Sequence, residues 1–339
     1  MLGAIVLALA MQISAAAPDC DLIRASGAQR EGREAVARRK YDVAIQRFNE
    51  ALAFCPSSRS IPLDLATMHI HRRQFDDAIR IARDVLAVEP SSLAARLVMA
   101  NAYFVSRQLP EALREAELAL RIQPFEPGAM KVKANAQYLL GNLDKASDTL
   151  MALMERSPND AEAAYMLGRM YYQDGRIDHA RGLFLRVLRI DPKSYKAFDN
   201  LGLCYQARGD SQTAIRYFLT AIKLVDTDHP EYDSAYANLA SILIDTGDAQ
   251  QAFGAASKAA DRNPYSARNF YLGGKALAKL GKNELAANWL ERSAALDPNY
   301  AEPLYLLARL YAQLGQAEKA KSTLAKFNEV KARAPRERK

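Results

Sequence analysis

The residues that could do chemistry are few. Four histidines are present, and two of them, His69 and His71, stand two apart in a stretch with helical patterning. That spacing turns them to different sides of a helix, so they cannot share a metal ion or a proton relay. His69 falls where a core aromatic is expected and reads as a packing residue. The segment "LGGKALAKLGK" (272–282) contains Gly273, Gly274 and Lys275, but it lacks the spacing and the preceding strand that a phosphate-cradling loop needs. No serine sits in a nucleophile elbow, and no stretch alternates as a strand would. The expectation is a chain that is not an enzyme and holds no metal or cofactor.

What must position any functional residue is a repeating element. Pro56, Pro90, Pro124, Pro158 and Pro192 are spaced by 34 residues, and Pro230, Pro264 and Pro298 continue at 34 after one step of 38. Each marks the stop of a helix, because proline lacks the amide donor and clashes with the preceding turn. Every period carries two helical patterns. In the fifth, Tyr165, Leu167, Gly168 and Tyr171 lie on the first helix, Gly175 ends it, and Ala180, Phe184 and Val187 stripe the second. Small residues recur where the two helices must cross, at Gly168, Gly202, Ala240 and Gly274 on one helix and Ala180, Ala214, Ala252 and Ala286 on the other.

The pattern resembles the tetratricopeptide repeat, whose 34-residue helix-turn-helix carries a large residue, Leu-Gly, Tyr, Ala, Phe, Ala and Pro at set offsets. The sixth period matches most fully, through Phe198, Leu201, Gly202, Tyr205, Gly209, Ala214, Phe218 and Ala221. Nine repeats are expected, starting near residues 25, 59, 93, 127, 161, 195, 233, 267 and 301 and filling 25–334. The implied fold is all-α: a solenoid wound as a right-handed superhelix, with first helices on the concave face and second helices on the convex one. Three departures stand out. Arg39, Arg73 and Arg107 occupy turn positions that are glycine in the later six repeats, so those turns should differ or cost more. Ala82 replaces the usual aromatic of repeat two. Four extra residues, 226–229, should lengthen a helix end or loop between repeats six and seven.

Half of the residues are hydrophobic and the formal charge is +7. Residues 24–47 contribute +4 (seven basic against three acidic) and 326–339 another +4 (six against two), leaving the body at about −1. Nucleic acid would want a continuous basic stripe, so it is not an expected partner. Residues 1–17 have an apolar stretch followed by small residues. They read as a short secretory signal cleaved after Ala16, with 17–24 as an amino-terminal segment, or else as an apolar start to the first helix. The stretch is too short to span a bilayer, so no integral membrane protein is expected. Pro335 opens a basic tail, 335–339.

Antiparallel helices in the first repeat would bring Cys20 and Cys55 side by side. They read either as a disulfide, which would suit an exported chain, or as two unrelated thiols. Cys204 reads as a buried free thiol.

The remaining candidate site is the concave face. Its register positions are Lys131, Asn135 and Tyr138 in repeat four; Tyr165, Arg169 and Tyr172 in five; Lys196 and Asn200 in six; Asn238 in seven; Tyr271 and Lys275 in eight; and Tyr305 and Arg309 in nine. Tyrosine and arginine are favoured at interfaces, and asparagine can bond the amides of an extended peptide. Against this stands a packing role for the tyrosines and a merely solvated one for the charges. Some family members grip a terminal carboxylate with five residues. At those positions this chain has Lys131, Asn135, Met166, Lys196 and Asn200, of which three match. A general preference for acidic or carboxylate-bearing segments is what the resemblance implies. The expected function is a non-catalytic scaffold, exported from a bacterial cell, that binds an extended peptide or partner helix, in envelope assembly or secretion. The alternatives are a structural or oligomerising element, and a cytosolic adaptor if 1–17 is retained.

Overall fold

Each of the eight phased prolines sits two residues beyond the end of a helix, from Phe54 before Pro56 to Leu296 before Pro298. The computed structural model describes residues 20–333. The expected signal segment, its cleavage point and the basic tail lie outside the described residues. Among the described residues there are eighteen helices and no strand, and they fall into two compact units, Met1–Pro158 and Asn159–Lys339.

The first unit holds α1 (Leu22–Ala37), α2 (Tyr41–Phe54), α3 (Ser60–His71), α4 (Phe75–Val88), α5 (Leu93–Val105), α6 (Leu109–Ile122), α7 (Pro127–Leu139) and α8 (Leu143–Arg156). The second holds α9 (Ala161–Gln173), α10 (Ile177–Ile190), α11 (Tyr195–Ala207), α12 (Ser211–Asp228), α13 (Ser234–Thr246), α14 (Ala249–Arg262), α15 (Ala267–Lys279), α16 (Asn283–Leu296), α17 (Ala301–Gln313) and α18 (Ala317–Arg333). These pair into four hairpins and five. Within each unit every hairpin packs on the next, and first helices also touch successive first helices, as α3 touches α5 and α13 touches α15. Crowding along that edge makes the first helices the inner side of each stack. Each unit is an α-solenoid.

Local chemistry sets the helix ends. Asp21, Asp160, Asp210 and Asp248 each accept a backbone N–H three residues on, at 3.0, 2.9, 3.0 and 3.1 Å, which satisfies a donor the helix start leaves free. The Asp21 cap starts α1 at Leu22, earlier than residue 25. The four extra residues extend α12 to 18 residues where α10 and α14 have 14.

The hairpins close by fitting a small residue against a large one. A Cβ on Gly168 would lie 2.8 Å from the Phe184 ring, and one on Gly274 would lie 2.7 Å from Leu290. Gly32 against Phe48 and Gly202 against Phe218 are tighter still. Gly273 likewise makes room for Trp289, so "LGGK" is two consecutive close approaches on one helix. Phe48, Phe184 and Phe218 are almost wholly buried as a result.

The turns of the first three repeats do not differ in shape. Arg39, Arg73 and Arg107 take φ of 57°, 62° and 66°, the left-handed region that Gly175 and Gly209 enter at 80°. A non-glycine residue there costs roughly 1–2 kcal/mol, partly offset by the smaller freedom an arginine loses on folding. Replacing Arg73 with glycine is therefore expected to stabilise the chain by about 0.5 kcal/mol and raise the thermal midpoint by about 1–2 °C. A midpoint that stays put or falls in calorimetry would mean the turn carries no strain.

Candidate functional site

The first helices of the second unit, α9, α11, α13, α15 and α17, carry ten of the thirteen expected residues. Lys131, Asn135 and Tyr138 belong to α7 of the first unit, where all three are half-buried. Of the five clamp positions, Lys131 and Asn135 thus lie in the first unit and Met166, Lys196 and Asn200 in the second.

Within the second unit the ten residues divide by chemistry. Arg169, Lys196 and Arg309 are exposed and Lys275 is half-buried, and none of the four pairs with a carboxylate among the described residues. Lys196 lies 5.8 Å from the centre of the Tyr195 ring, Lys275 6.0 Å from that of Tyr271 and Arg309 6.0 Å from that of Tyr305, at the outer limit of cation–π attraction. The cationic heads remain open to another partner. Tyr165, Tyr172 and Tyr271 are half-buried, and burial raises the pKa of each phenol, so at neutral pH they present hydroxyls.

The two asparagines are turned inward instead. Asn200 is buried, and its Nδ2 donates to the Tyr165 hydroxyl at 3.1 Å and to the Lys196 carbonyl at 2.8 Å. Asn238 is 4 % exposed; its Nδ2 donates to Asp199 Oδ1 at 2.9 Å while its Oδ1 accepts from Arg268 at 2.8 Å. Asn238 is engaged through both its nitrogen and its oxygen, and the Asn200 nitrogen is held by the scaffold. They fix the residues that do face outward.

Asp199 lies at the centre of this network and is 2 % exposed. Its other oxygen accepts from the Tyr232 hydroxyl at 2.6 Å. Desolvation raises its pKa above the usual carboxylate range, opposed by the bonds from Tyr232 and Asn238 and by the Arg268 charge. The same burial, with the Asp199 charge, pushes the Tyr232 phenol far up. Asp199, Tyr232 and Arg268 were not among the expected site residues. Arg268 is legible in hindsight, because it holds the same register position as Lys196. Asp199 gives no such signal, since a carboxylate on a first helix reads as solvated.

Tyr271, Lys275, Tyr305 and Arg309 line one cleft of about 760 Å³, together with Lys279, Glu302 and, from α18, Phe327 and Lys331. In the first unit the corresponding face differs. A groove of about 530 Å³ between α3 and α5 is walled by Leu63, Ile70, Leu97, Val98 and Val105, and its guanidinium, Arg33, is engaged by Asp64 at 3.0 Å. The histidines remain apart: His69 Nδ1 meets Gln74 at 3.0 Å and His71 stacks on Tyr41 with centroids 4.7 Å apart. Among the described residues no group of three or more metal-ligating side chains converges.

Tetratricopeptide repeat models match residues 69–135, 132–195, 195–264 and 301–332, and a TPR repeat model matches 274–315. The chain belongs to the tetratricopeptide repeat family. None of these models describes a catalytic domain. No curated protein matches the sequence at a significant level. Among solved structures, a chain of the APC/C hetero-tetramer Cut9-Hcn1 is similar at 18 % identity and a TM-score of 0.65, with 83 % of this chain covered. This chain spans only 54 % of that one's length. Pseudomonas aeruginosa pilF is 19 % identical, with 64 % of this chain and 97 % of that one covered and a TM-score of 0.55. A thermophilic TPR protein of Thermus thermophilus is 23 % identical, with 54 % and 99 % covered and a TM-score of 0.51. At these identities the likeness is one of fold.

The Asp199 network makes a pH-dependent prediction. A folded-state pKa above the unfolded value means the folded chain holds that proton longer. The stability it contributes is full below the ordinary carboxylate pKa and is lost as pH rises through the folded value. Arg268 offsets that loss, so Arg268→Ala should destabilise the chain by about 1 kcal/mol near neutral pH and by less at an acid pH, as Asp199 takes up its proton. Equal losses in denaturant titrations at both pH values would show that Arg268 does not act through Asp199.

Proposed function

We propose that the chain is a non-catalytic scaffold of the cell envelope that holds an extended peptide or a partner helix along the first-helix side of its second unit. The observation that carries this is the run of cations without carboxylate partners, Arg169, Lys196, Lys275 and Arg309, set beside half-buried or exposed tyrosines on stacked first helices. Such side chains lie on helices fixed by their neighbours, so little ordering cost falls on the scaffold when a partner docks. The coarser part, a protein that works by holding another protein, agrees with family membership. Cut9, similar in fold, is named in a hetero-tetramer with Hcn1.

Export is the second part of the proposal. Cys20 and Cys55 form a disulfide across the ends of α1 and α2, with their Cα atoms 4.2 Å apart, and a structural disulfide fits an oxidising compartment. Among the described residues no helix is long and apolar enough to cross a membrane.

Affinity capture from cell envelopes tests the groove, using the wild type beside an Arg169→Glu, Lys196→Glu variant. The wild type should retain a partner that the variant loses; equal recovery of the same proteins would sink the groove reading while leaving the fold intact. Export is tested by mass spectrometry of the chain isolated without reductant. A Cys20–Cys55 crosslinked peptide and an amino terminus at Ala17 are expected, whereas a reduced pair on a chain retaining residues 1–16 would count against it.

A further inference from the structure

We propose that the cleft formed by α15, α17 and α18 is a distinct subsite for an acidic peptide segment that also carries an aromatic side chain. This rests on the groove reading above and specifies the chemistry of its occupant.

Three observations lead there. The first is charge. Lys275, Arg309 and Lys331 face the cleft without a carboxylate partner among the described residues, and Glu302 is the one acid in its lining. Lys279 is different, since its Nζ donates to the Ile244 carbonyl at 2.9 Å and is held by the scaffold. An unpaired cluster of like charge is unfavourable in the free chain and is relieved by an anionic partner. The second is the aromatic lining. Tyr305 is 47 % exposed and packs at a tilt on Phe327 with centroids 5.3 Å apart. Tyr271 meets Tyr300 at the same distance. Rings held by rings lose little freedom on binding and offer flat apolar surface beside each cation. Lys331, 5.7 Å from the Phe327 ring centre, completes three cation and ring pairs around one space. The third is size: about 760 Å³ is within the range of ligand pockets and has room for a few residues of extended chain.

The arrangement selects a peptide over a polynucleotide. A phosphodiester chain is gripped by a continuous basic stripe, whereas here the basic cluster is interrupted by Glu302. An acidic peptide can place carboxylates on Lys275 and Arg309, insert a ring against Tyr305 and Phe327, and leave an amide N–H for Glu302. The apolar groove between α3 and α5, with Arg33 already paired, would not make this choice. The preference belongs to the α15, α17 and α18 cleft.

Fluorescence anisotropy on the full chain tests the inference, with a dye-labelled, amidated peptide of alternating Glu and Phe as the probe. It should bind at least about tenfold more tightly than its Gln-for-Glu and Ala-for-Phe counterparts, and more weakly as salt rises. Lys275→Glu with Arg309→Glu should weaken it by at least about tenfold and Phe327→Ala by about threefold, whereas Arg189→Glu, at an exposed position of the second helix α10, should leave it within about twofold. Equal binding of the Gln counterpart, no binding of the acidic probe, or tighter binding of an oligouridylate would overturn the proposal. So would self-association of the chain that the probe cannot displace. A probe lost with Arg169→Glu, Lys196→Glu but kept with Lys275→Glu, Arg309→Glu also overturns it, and in that case the wider groove reading survives.

Discussion

The contact on which everything else depends is the one between a residue with almost no side chain and a ring or branched chain directly opposite. Gly32 lies under Phe48, Gly168 under Phe184, Gly202 under Phe218 and Gly274 under Leu290. Because the interior of a protein is close-packed, this fit sets how near the two helices of a hairpin can lie. That distance in turn sets which residues of the first helix remain on the inner side. A hairpin alone buries too little to persist, and stacking supplies the remainder. The positions of Arg169 and Lys275 therefore follow from the packing of the glycine that precedes each on the same helix.

Two kinds of polar group share the inner side of the second unit, and burial separates their roles. Asp199, Asn200 and Asn238 are almost out of contact with water and each is hydrogen-bonded within the scaffold. In a low-dielectric setting such groups are costly unless fully partnered, and their value lies in fixing the helices in one relative setting. The outward cations carry no such constraint. A shared position in the repeat does not imply a shared role: Lys196 is open, while Arg268 at the same register is tied to Asn238.

The repeat period and the second-helix ends before the phased prolines were legible in the sequence, because proline, glycine and the small crossing residues each enforce one backbone or packing outcome. The turns at Arg39, Arg73 and Arg107 were partly legible. The substitution advertised a cost, but the chain keeps the left-handed turn, since the packing of two helices outweighs the strain of one residue. The polar network was not legible. Asp199 meets Tyr232, Asn238 and Arg268 across three successive repeats, and nothing local distinguishes it from a solvated acid. Phe327 and Lys331 were missed for a related reason. They lie on α18, a helix mostly open to water, with only Thr323 buried and Ala320, Phe327 and Val330 half-buried; one ring on it nonetheless completes a cleft.

An array of like hairpins invites the thought that its members could be shuffled, duplicated or excised freely. The longer α12 forbids that at one junction. Asp226, within the added segment, accepts from Arg262 at 2.7 Å and from Tyr236, and Arg262 also binds the carbonyls of His229 and Pro230. These partners exist only where this hairpin precedes that one. That junction thus carries an address of its own, and recombination between look-alike modules would preserve the helices while erasing it.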